Sequence, residues 1–381
     1  LLFSLSESVK YKLKSVKCLR CGAKTVTFLF WVSLYMLVMK MTLFKTSSSP
    51  PIKEWSFEPD NYSKWLLQGP VLGEDEGSGA EGGSSAEWAE PDNATVAELA
   101  RRERRVRRVC RRRALLSQPI NNKEFFVDHV HNLVWCNIFK AASSSWLYNF
   151  NILGGYTKKY LARTRLSPLT NAREKYPRPS LEELLDAVET PGVVTLLVVR
   201  EPFVRLLSAY RDKLENVAPP YYRKLAKAIV AAHRAKATEK LGPIKSFGPT
   251  FFEFVAYLIE RHQKRDDATF DEHWTPYYQF CSPCAVNFTV ISKVETLQRD
   301  TAFVVQQLGL VDILGRRALK RRTRIRTVMN KSRDGKNTTA LLRHYFSQLD
   351  ERMLKGLLDI YSIDFEMFGY DPKVYSSFVR K

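Results

Sequence analysis

The order of apolar and polar residues along the chain predicts short strands that alternate with helices. Phe125 to Val130 and Leu133 to Ile138 are short runs rich in strand-forming residues. Residues 193–200, VVTLLVVR, form a continuous apolar run, which is typical of a strand buried on both faces of a parallel sheet.

Between and after these strands, apolar residues recur with helical spacing. The predicted helices cover residues 146–153, a segment that starts at 180, and residues 222–240, 251–263 and 296–308. Ser180 is a good N-cap, because Glu182 and Glu183 follow it in the first turn. Strands alternating with helices indicate an α/β domain with a central parallel sheet flanked by helices.

One further apolar run, residues 25–44, is about long enough to cross a bilayer. Six Lys and Arg residues precede it, so the positive-inside rule predicts a cytosolic tail, residues 1–24, and a luminal remainder. A cleaved signal peptide and a buried core helix are the alternatives. We therefore expect one transmembrane signal anchor at residues 25–44.

Residues 45–120 are interpreted as a luminal stem, largely disordered, and residues 121–376 as the catalytic domain. The stem contains GEDEGSGAEGGSSAE, a tract that cannot bury enough apolar area to fold. It also contains RRERRVRRVCRRR, Arg101 to Arg113, which we interpret as a solvated basic helix. A proteolytic site and a handle for an acidic polymer are the alternatives.

The charge balance points to an anionic partner. The 381 residues include 60 Lys and Arg against 40 Asp and Glu, a formal net charge of +20. Nucleic acid, anionic lipid and acidic polysaccharide all fit this charge. A luminal position argues against nucleic acid and allows N-glycosylation. Five sequons follow the apolar run, at Asn61, Asn93, Asn287, Asn330 and Asn337.

The first candidate site is FKAASSSW, where a predicted strand turns into a helix. A lysine, Lys140, precedes two alanines and three serines. A tight turn with an N-cap would explain the small residues. The functional alternative is an anion site, since the N-terminus of a helix offers unpaired N–H groups and a favourable dipole. The segment is not a Walker A loop, in which the lysine follows the glycines.

The second candidate site is LLVVREPFVRLLSAYRDKLE, residues 196–215. Arg200 ends the buried strand, Pro202 suits the start of a helix, and Ser208 lies about two turns into that helix. A guanidinium at the end of a strand is well placed to bind a phosphate with two hydrogen bonds. A structural salt bridge is the alternative.

These two segments, followed by HWTPYYQFCSPC and YSIDFEMFGYD, resemble the membrane-bound Golgi carbohydrate sulfotransferases. The resemblance covers residues 125–371 and is to the branch of chondroitin, dermatan and HNK-1 enzymes. It implies a P-loop-like sulfotransferase fold and sulfuryl transfer from 3′-phosphoadenosine 5′-phosphosulfate (PAPS) to a glycan hydroxyl, without a metal. The implied acceptor is the 4-hydroxyl of N-acetylgalactosamine in chondroitin. Phe139 replaces the proline that is common in the family, and Ala142 and Ser144 also depart from its usual residues.

The resemblance also implies which residues bind the donor. The 5′-phosphosulfate loop would comprise Lys140, Ala141, Ala142, Ser143, Ser144, Ser145 and Trp146. Arg200 and Ser208 would bind the 3′-phosphate, and Lys140 would also take part in catalysis. For the base we choose His273, which lies in a family segment beside acidic residues. A structural histidine held by Glu272 or Trp274 is the alternative, and the carboxylates of Glu174, Glu182 and Glu183 are others.

Cysteine usage fits the predicted lumen. Cys110, Cys136, Cys281 and Cys284 are expected to form structural disulfides, with the pairing left open. The CSPC segment could instead be half of a zinc or redox site.

A non-catalytic glycosaminoglycan-binding membrane protein is the alternative function. The basic residues 222–240 and 315–326 would suit either function, whereas the absent Walker A glycines argue against a nucleotide kinase.

Overall fold

The structure, a computed structural model, describes residues 93–215, 219–266, 270–315 and 337–381. The predicted tail, the apolar run at 25–44 and most of the predicted stem and of the basic segment 315–326 lie outside these residues. Within the described part of the chain, no helix is both long enough and apolar enough to span a bilayer.

Within the described ranges, four strands form one sheet. They are adjacent in chain order: β1 (Phe125–Asp128), β2 (Leu133–Cys136), β3 (Val194–Val199) and β4 (Val290–Lys293). The strands β2, β3 and β4 are parallel, but β1 is antiparallel to β2. The sheet is therefore mixed, not wholly parallel as predicted, because only four residues join β1 to β2 and so short a connection cannot make a crossover. The carboxyl ends of β2, β3 and β4 lie at one edge.

Helices make up most of the rest of the described chain. They are α1 (Asn93–Arg112), α2 (Ser143–Leu153), α3 (Lys158–Arg163), α4 (Pro168–Lys175), α5 (Leu181–Glu189), α6 (Pro202–Tyr210), α7 (Pro220–Leu241), α8 (Phe251–Gln263), α9 (Tyr277–Phe280), α10 (Leu297–Gln307), α11 (Leu342–Phe346) and α12 (Glu351–Phe368). The prediction of α8 is confirmed at both ends. Ser180 caps α5 as predicted, since its Oγ accepts from the Glu183 N–H at 3.0 Å. Helix α2 begins at Ser143, three residues before its predicted start.

Both faces of the sheet are covered by helices. On one face, Trp135 of β2 packs against Trp146 and Phe150 of α2. On the other face, Leu197 and Val199 of β3 belong to a cluster that α1, α5 and α12 complete. A third cluster joins α6, α7, α8, α11 and α12 into a helical layer. Complete burial of one large apolar side chain, such as Leu197 or Phe150, contributes about 1.5–3 kcal/mol to folding.

Helix α1 lies within the predicted stem, yet it is part of the folded domain. Its Leu99, Val106 and Val109 are buried. Arg102, in the segment that we interpreted as solvated, is only 8% exposed and donates to Asp300 Oδ2 at 2.7 Å and to the Ile291 carbonyl at 3.0 Å. The prediction of a helix is confirmed. The prediction that this helix is solvated is wrong for the face that carries Arg102, because a carboxylate and a carbonyl replace water around its guanidinium.

Two disulfides join distant parts of the chain. Cys110 of α1 is bonded to Cys284, and Cys136 at the end of β2 is bonded to Cys281. The prediction of structural disulfides is thereby confirmed. Both cysteines of the CSPC segment are used, which leaves no thiol there for zinc or redox chemistry.

Candidate active site

The connection from β2 to α2, residues 137–142, carries the first predicted motif. Lys140 (φ 67°) and Ala142 (φ 61°) both adopt the left-handed region, which costs a non-glycine residue about 1–2 kcal/mol. Ala142 is the N-cap of α2 and has no side-chain oxygen with which to cap it. The Ala142 carbonyl accepts from the N–H groups of Ser145 at 3.0 Å and Trp146 at 3.3 Å, which closes the first turn of the helix. The strained turn therefore presents a helix N-terminus at the carboxyl edge of the sheet.

Arg200 lies beside this connection. Its backbone N–H donates to Tyr277 Oη at 3.0 Å, and its carbonyl accepts from the same hydroxyl at 2.8 Å. Its Nη1 is 3.5 Å from the carbonyl oxygen of Lys140. Burial lowers the pKa of Arg200 below its ordinary value. The structure thus brings the two predicted motifs together, because both follow parallel strands and so reach the same sheet edge.

The ammonium group of Lys140 faces a carboxylate that it shares with a second lysine. Its Nζ is 3.3 Å from Asp212 Oδ2, and the Nζ of Lys213 is 3.3 Å from the same oxygen. Burial lowers the pKa of Lys140, Asp212 opposes this, and the charges of Lys213 and Arg200 add to the lowering. Burial acts to raise the pKa of Asp212, but the two ammonium groups hold it below its ordinary value. Positive charge is therefore concentrated beside the β2–α2 connection.

A π-helical turn positions Asp212 and Lys213. It covers Arg211–Glu215 and directly continues α6. Its first residue is anchored, since Arg211 is 4% exposed and its Nη1 donates to Thr338 Oγ1 at 3.1 Å. Turns of this kind are rare and often mark functional sites.

Ser208 occupies a distinctive position on α6. All other residues of this helix are buried, whereas Ser208 is partly exposed. A ligand could therefore approach α6 at this small hydroxyl. Among the described contacts, none joins Ser208 to Arg200.

Two of the predicted donor-binding residues are buried instead. Trp146 and Ala141 are each 1% exposed, and Trp146 packs on Trp135 with the ring centroids 6.3 Å apart. Trp146 belongs to the cluster on the α2 face of the sheet and Ala141 to the cluster on the opposite face, so both side chains pack in the core. The serines at 143–145 remain partly exposed.

His273 lies next to the same connection and is held by a carboxylate. Its Nδ1 is 2.7 Å from Asp271 Oδ1 and 3.0 Å from the hydroxyl of Tyr222, and its ring centroid is 4.7 Å from that of Phe139. The partner expected from sequence, Glu272, is farther away, with Oε1 at 3.8 Å. With Nδ1–H donating to Asp271, the neutral ring keeps Nε2 as its proton acceptor. Nε2 makes no hydrogen bond to a described residue.

The pKa of His273 is lowered mainly by burial. The hydrogen bond to Asp271 opposes this lowering, while the charges of Lys213 and Lys140 add to it. A histidine held neutral, oriented by a carboxylate and adjacent to cations has the features of a general base. Sequence reasoning identified His273 but missed Asp271; the signal available was the D-x-H spacing.

Arg205 was also missed, and it joins the two halves of the site. This side chain is 2% exposed. Its three nitrogens donate to the carbonyls of Phe139 at 3.0 Å, Thr275 at 2.7 Å and Glu272 at 3.1 Å. It therefore fixes the residues that flank Lys140 and His273. An arginine within the apolar run FVRLL was the signal that could have revealed it.

The alternative bases have other surroundings. Glu174 is exposed, while Glu183 Oε1 is 3.5 Å from His129 Nε2. Glu182, beside it, is exposed in the first turn of α5. None of the described contacts of Lys140 or His273 involves these residues.

Within the described ranges, no group of three or more His, Cys, Asp or Glu side chains is arranged to hold a metal ion.

Comparison with known proteins gives a consistent result. The profile described as "Sulfotransferase family" matches residues 123–371. The chain is 27% identical to carbohydrate sulfotransferase 11 of Mus musculus over 299 residues, which is 75% of this chain and 79% of that protein. It is 28% identical to carbohydrate sulfotransferase 14 of Danio rerio over 307 residues, 78% of each chain. It is also 29% identical to carbohydrate sulfotransferase 8 of Mus musculus over 281 residues, 71% of this chain and 63% of that protein. No solved structure matches.

Proposed function

Because the chain belongs to the Sulfotransferase family, among the carbohydrate sulfotransferases, we propose that it transfers a sulfuryl group from PAPS to a glycan hydroxyl. One observation carries this proposal. The cations Lys140, Lys213 and Arg200 meet the N-terminus of α2 at one sheet edge, beside the Asp271–His273 pair.

The residues present suit this donor, which carries a 3′-phosphate and a 5′-phosphosulfate. Lys140 and the first turn of α2 would hold the 5′-phosphosulfate, since an ammonium group and a helix N-terminus both favour anions. Arg200 and Ser208 would hold the 3′-phosphate. Burial lowers the pKa of Arg200 although Glu295 and Glu201 act in the opposite direction, so an anionic ligand beside the guanidinium would further stabilise its charge.

In the proposed reaction, the donor supplies a sulfuryl group bonded to a phosphate oxygen. As the acceptor oxygen bonds to sulfur, Nε2 of His273 takes up the hydroxyl proton and Asp271 stabilises the resulting imidazolium. Lys140 balances the negative charge that the breaking sulfur–oxygen bond leaves on the phosphate. The products are a sulfated glycan and adenosine 3′,5′-bisphosphate. Neither role requires a metal.

The proposed acceptor is the 4-hydroxyl of N-acetylgalactosamine in chondroitin, on a glycosaminoglycan or proteoglycan. This polymer is anionic before sulfation, so a basic rim would raise its local concentration. The exposed Arg223, Lys224 and Lys227 support such a rim, because they follow Tyr222, which contacts His273. Dermatan, HNK-1-type and glycoprotein glycans are the alternative acceptors.

The proposed location is the Golgi membrane, with the catalytic domain in the lumen. Two disulfides support an oxidising compartment. The apolar run at 25–44, preceded by lysines and arginines, would supply a type II anchor.

A panel of acceptors tests the proposed function. The protein is incubated with sulfur-labelled PAPS and desulfated chondroitin, dermatan, a heparan precursor or a neutral glycan ending in N-acetylgalactosamine. We expect chondroitin to be the best acceptor and its use to fall with rising salt. Equal activity on the neutral glycan, with no salt effect on chondroitin, would move the assignment to glycoprotein sulfation. No transfer to any acceptor would favour a non-catalytic glycan-binding protein.

A further inference from the structure

Lys213 is a second lysine in the site; it lies in the second motif, residues 196–215, but the roles assigned there are those of Arg200 and Ser208. It is 21% exposed, close to the 23% of Lys140. One oxygen, Asp212 Oδ2, lies 3.3 Å from the Nζ atoms of both lysines. A single carboxylate oxygen thus holds two ammonium groups around one point, as an oxygen of an anionic ligand would.

The surroundings of Lys213 place it between the donor side and the acceptor side. On one side it shares Asp212 with Lys140. On the other, its Nζ is 5.2 Å from the ring centroid of Tyr222, whose hydroxyl is 3.0 Å from His273 Nδ1. The charge of Lys213 acts on both neighbours, since it lowers the pKa of Lys140 and of His273.

The geometry of in-line transfer indicates what a cation between Lys140 and His273 would bind. The leaving oxygen, the sulfur and the acceptor oxygen lie roughly in line, and the remaining sulfuryl oxygens lie around the middle. Lys140 would serve the leaving oxygen and His273 the acceptor hydroxyl. A cation between them therefore faces the oxygens of the group in transit.

We propose that Lys213 is a catalytic residue that binds the oxygens of the transferred sulfuryl group, and that Asp212 is a positioning residue for both lysines. This inference rests on the proposed function and deepens it. Lys140 and Arg200 would bind the part of the donor that remains as nucleotide, whereas Lys213 would bind the part that leaves it.

The test uses K213M, which keeps the length of the side chain but removes its charge. Binding of PAPS and of adenosine 3′,5′-bisphosphate is measured by calorimetry, and sulfate transfer to desulfated chondroitin is measured alongside. We expect affinity for PAPS to fall about tenfold, affinity for the bisphosphate to stay within about twofold, and kcat to fall about 100-fold. The control is K355M, which changes an exposed lysine on α12 and should match the wild type throughout.

Each other outcome overturns the inference. Wild-type transfer and PAPS affinity in K213M would show that Lys213 does not contact the sulfuryl group. An equal loss of affinity for both nucleotides would assign Lys213 to the nucleotide phosphates instead. If the wild type binds both nucleotides but transfers no sulfate to any acceptor, the proposed function fails, and this inference fails with it.

Discussion

Arg205 is the single residue on which both halves of the site depend. It is buried, and its guanidinium holds the carbonyls of residues 139, 272 and 275. The lysine-bearing connection and the histidine-bearing segment come from parts of the chain more than 130 residues apart. One side chain keeps them at a fixed separation.

Replacing this side chain by an uncharged one of similar length should damage both stability and binding. In R205M, three partly buried carbonyls lose a charged donor, so we expect the free energy of unfolding to fall by about 3 kcal/mol or more. Urea unfolding measures this, with R352M on the exposed face of α12 as the control. A loss below about 0.5 kcal/mol would mean that Arg205 does not organise the site.

Protonation of His273 should determine how kcat/KM falls at acid pH. Burial lowers the pKa of His273 from an ordinary value of 6.5, so the neutral base persists to lower pH than in a free histidine. We expect kcat/KM to decline on the acid side with a midpoint below 6.5. In D271N the group that raises this pKa is lost, so the decline should move to still lower pH, and kcat should fall about 100-fold or more. An unchanged profile in D271N would remove the pair from the mechanism.

At the level of elements, sequence reasoning succeeded where the signal is local. Helices α5 and α8 follow from caps and spacing, and the meeting of Lys140 with Arg200 follows from parallel strands that end at one edge. Sequence reasoning failed where the residues in contact lie far apart along the chain. The partner of Arg102, Asp300, lies 198 residues along the chain, so nothing near Arg102 could reveal that it is buried. The pairing of four cysteines was undetermined for the same reason.

The burial of α1 gives a test of where the folded domain begins. Leu99 lies within the predicted stem and is 0% exposed, whereas Leu116 is 47% exposed. L99A should therefore lower the free energy of unfolding by about 2–5 kcal/mol, and L116A by less than about 0.5 kcal/mol. Denaturant unfolding of both variants measures the difference. If both variants lose less than about 0.5 kcal/mol, α1 would belong to the stem and not to the folded domain.

The whole molecule is expected to be a membrane-anchored luminal enzyme. In the described part, the sequon residues Asn93, Asn287 and Asn337 are exposed, so glycans could be attached without unfolding. We predict that the C-terminal portion resists protease added to sealed microsomes and that an endoglycosidase reduces its mass. Digestion of that portion without detergent would contradict the type II orientation.

We propose that the β2–α2 connection and the end of β3 form one site for the donor nucleotide. Calorimetric titration of adenosine 3′,5′-bisphosphate tests it most directly, because the measurement depends on neither the acceptor nor the base. We predict that the wild type and K355A bind with equal affinity. K140A and R200A should each bind about 10- to 100-fold more weakly, as expected for the loss of a charged hydrogen bond. Wild-type affinity in both variants, or no binding by the wild type, would show that these residues do not form a nucleotide site.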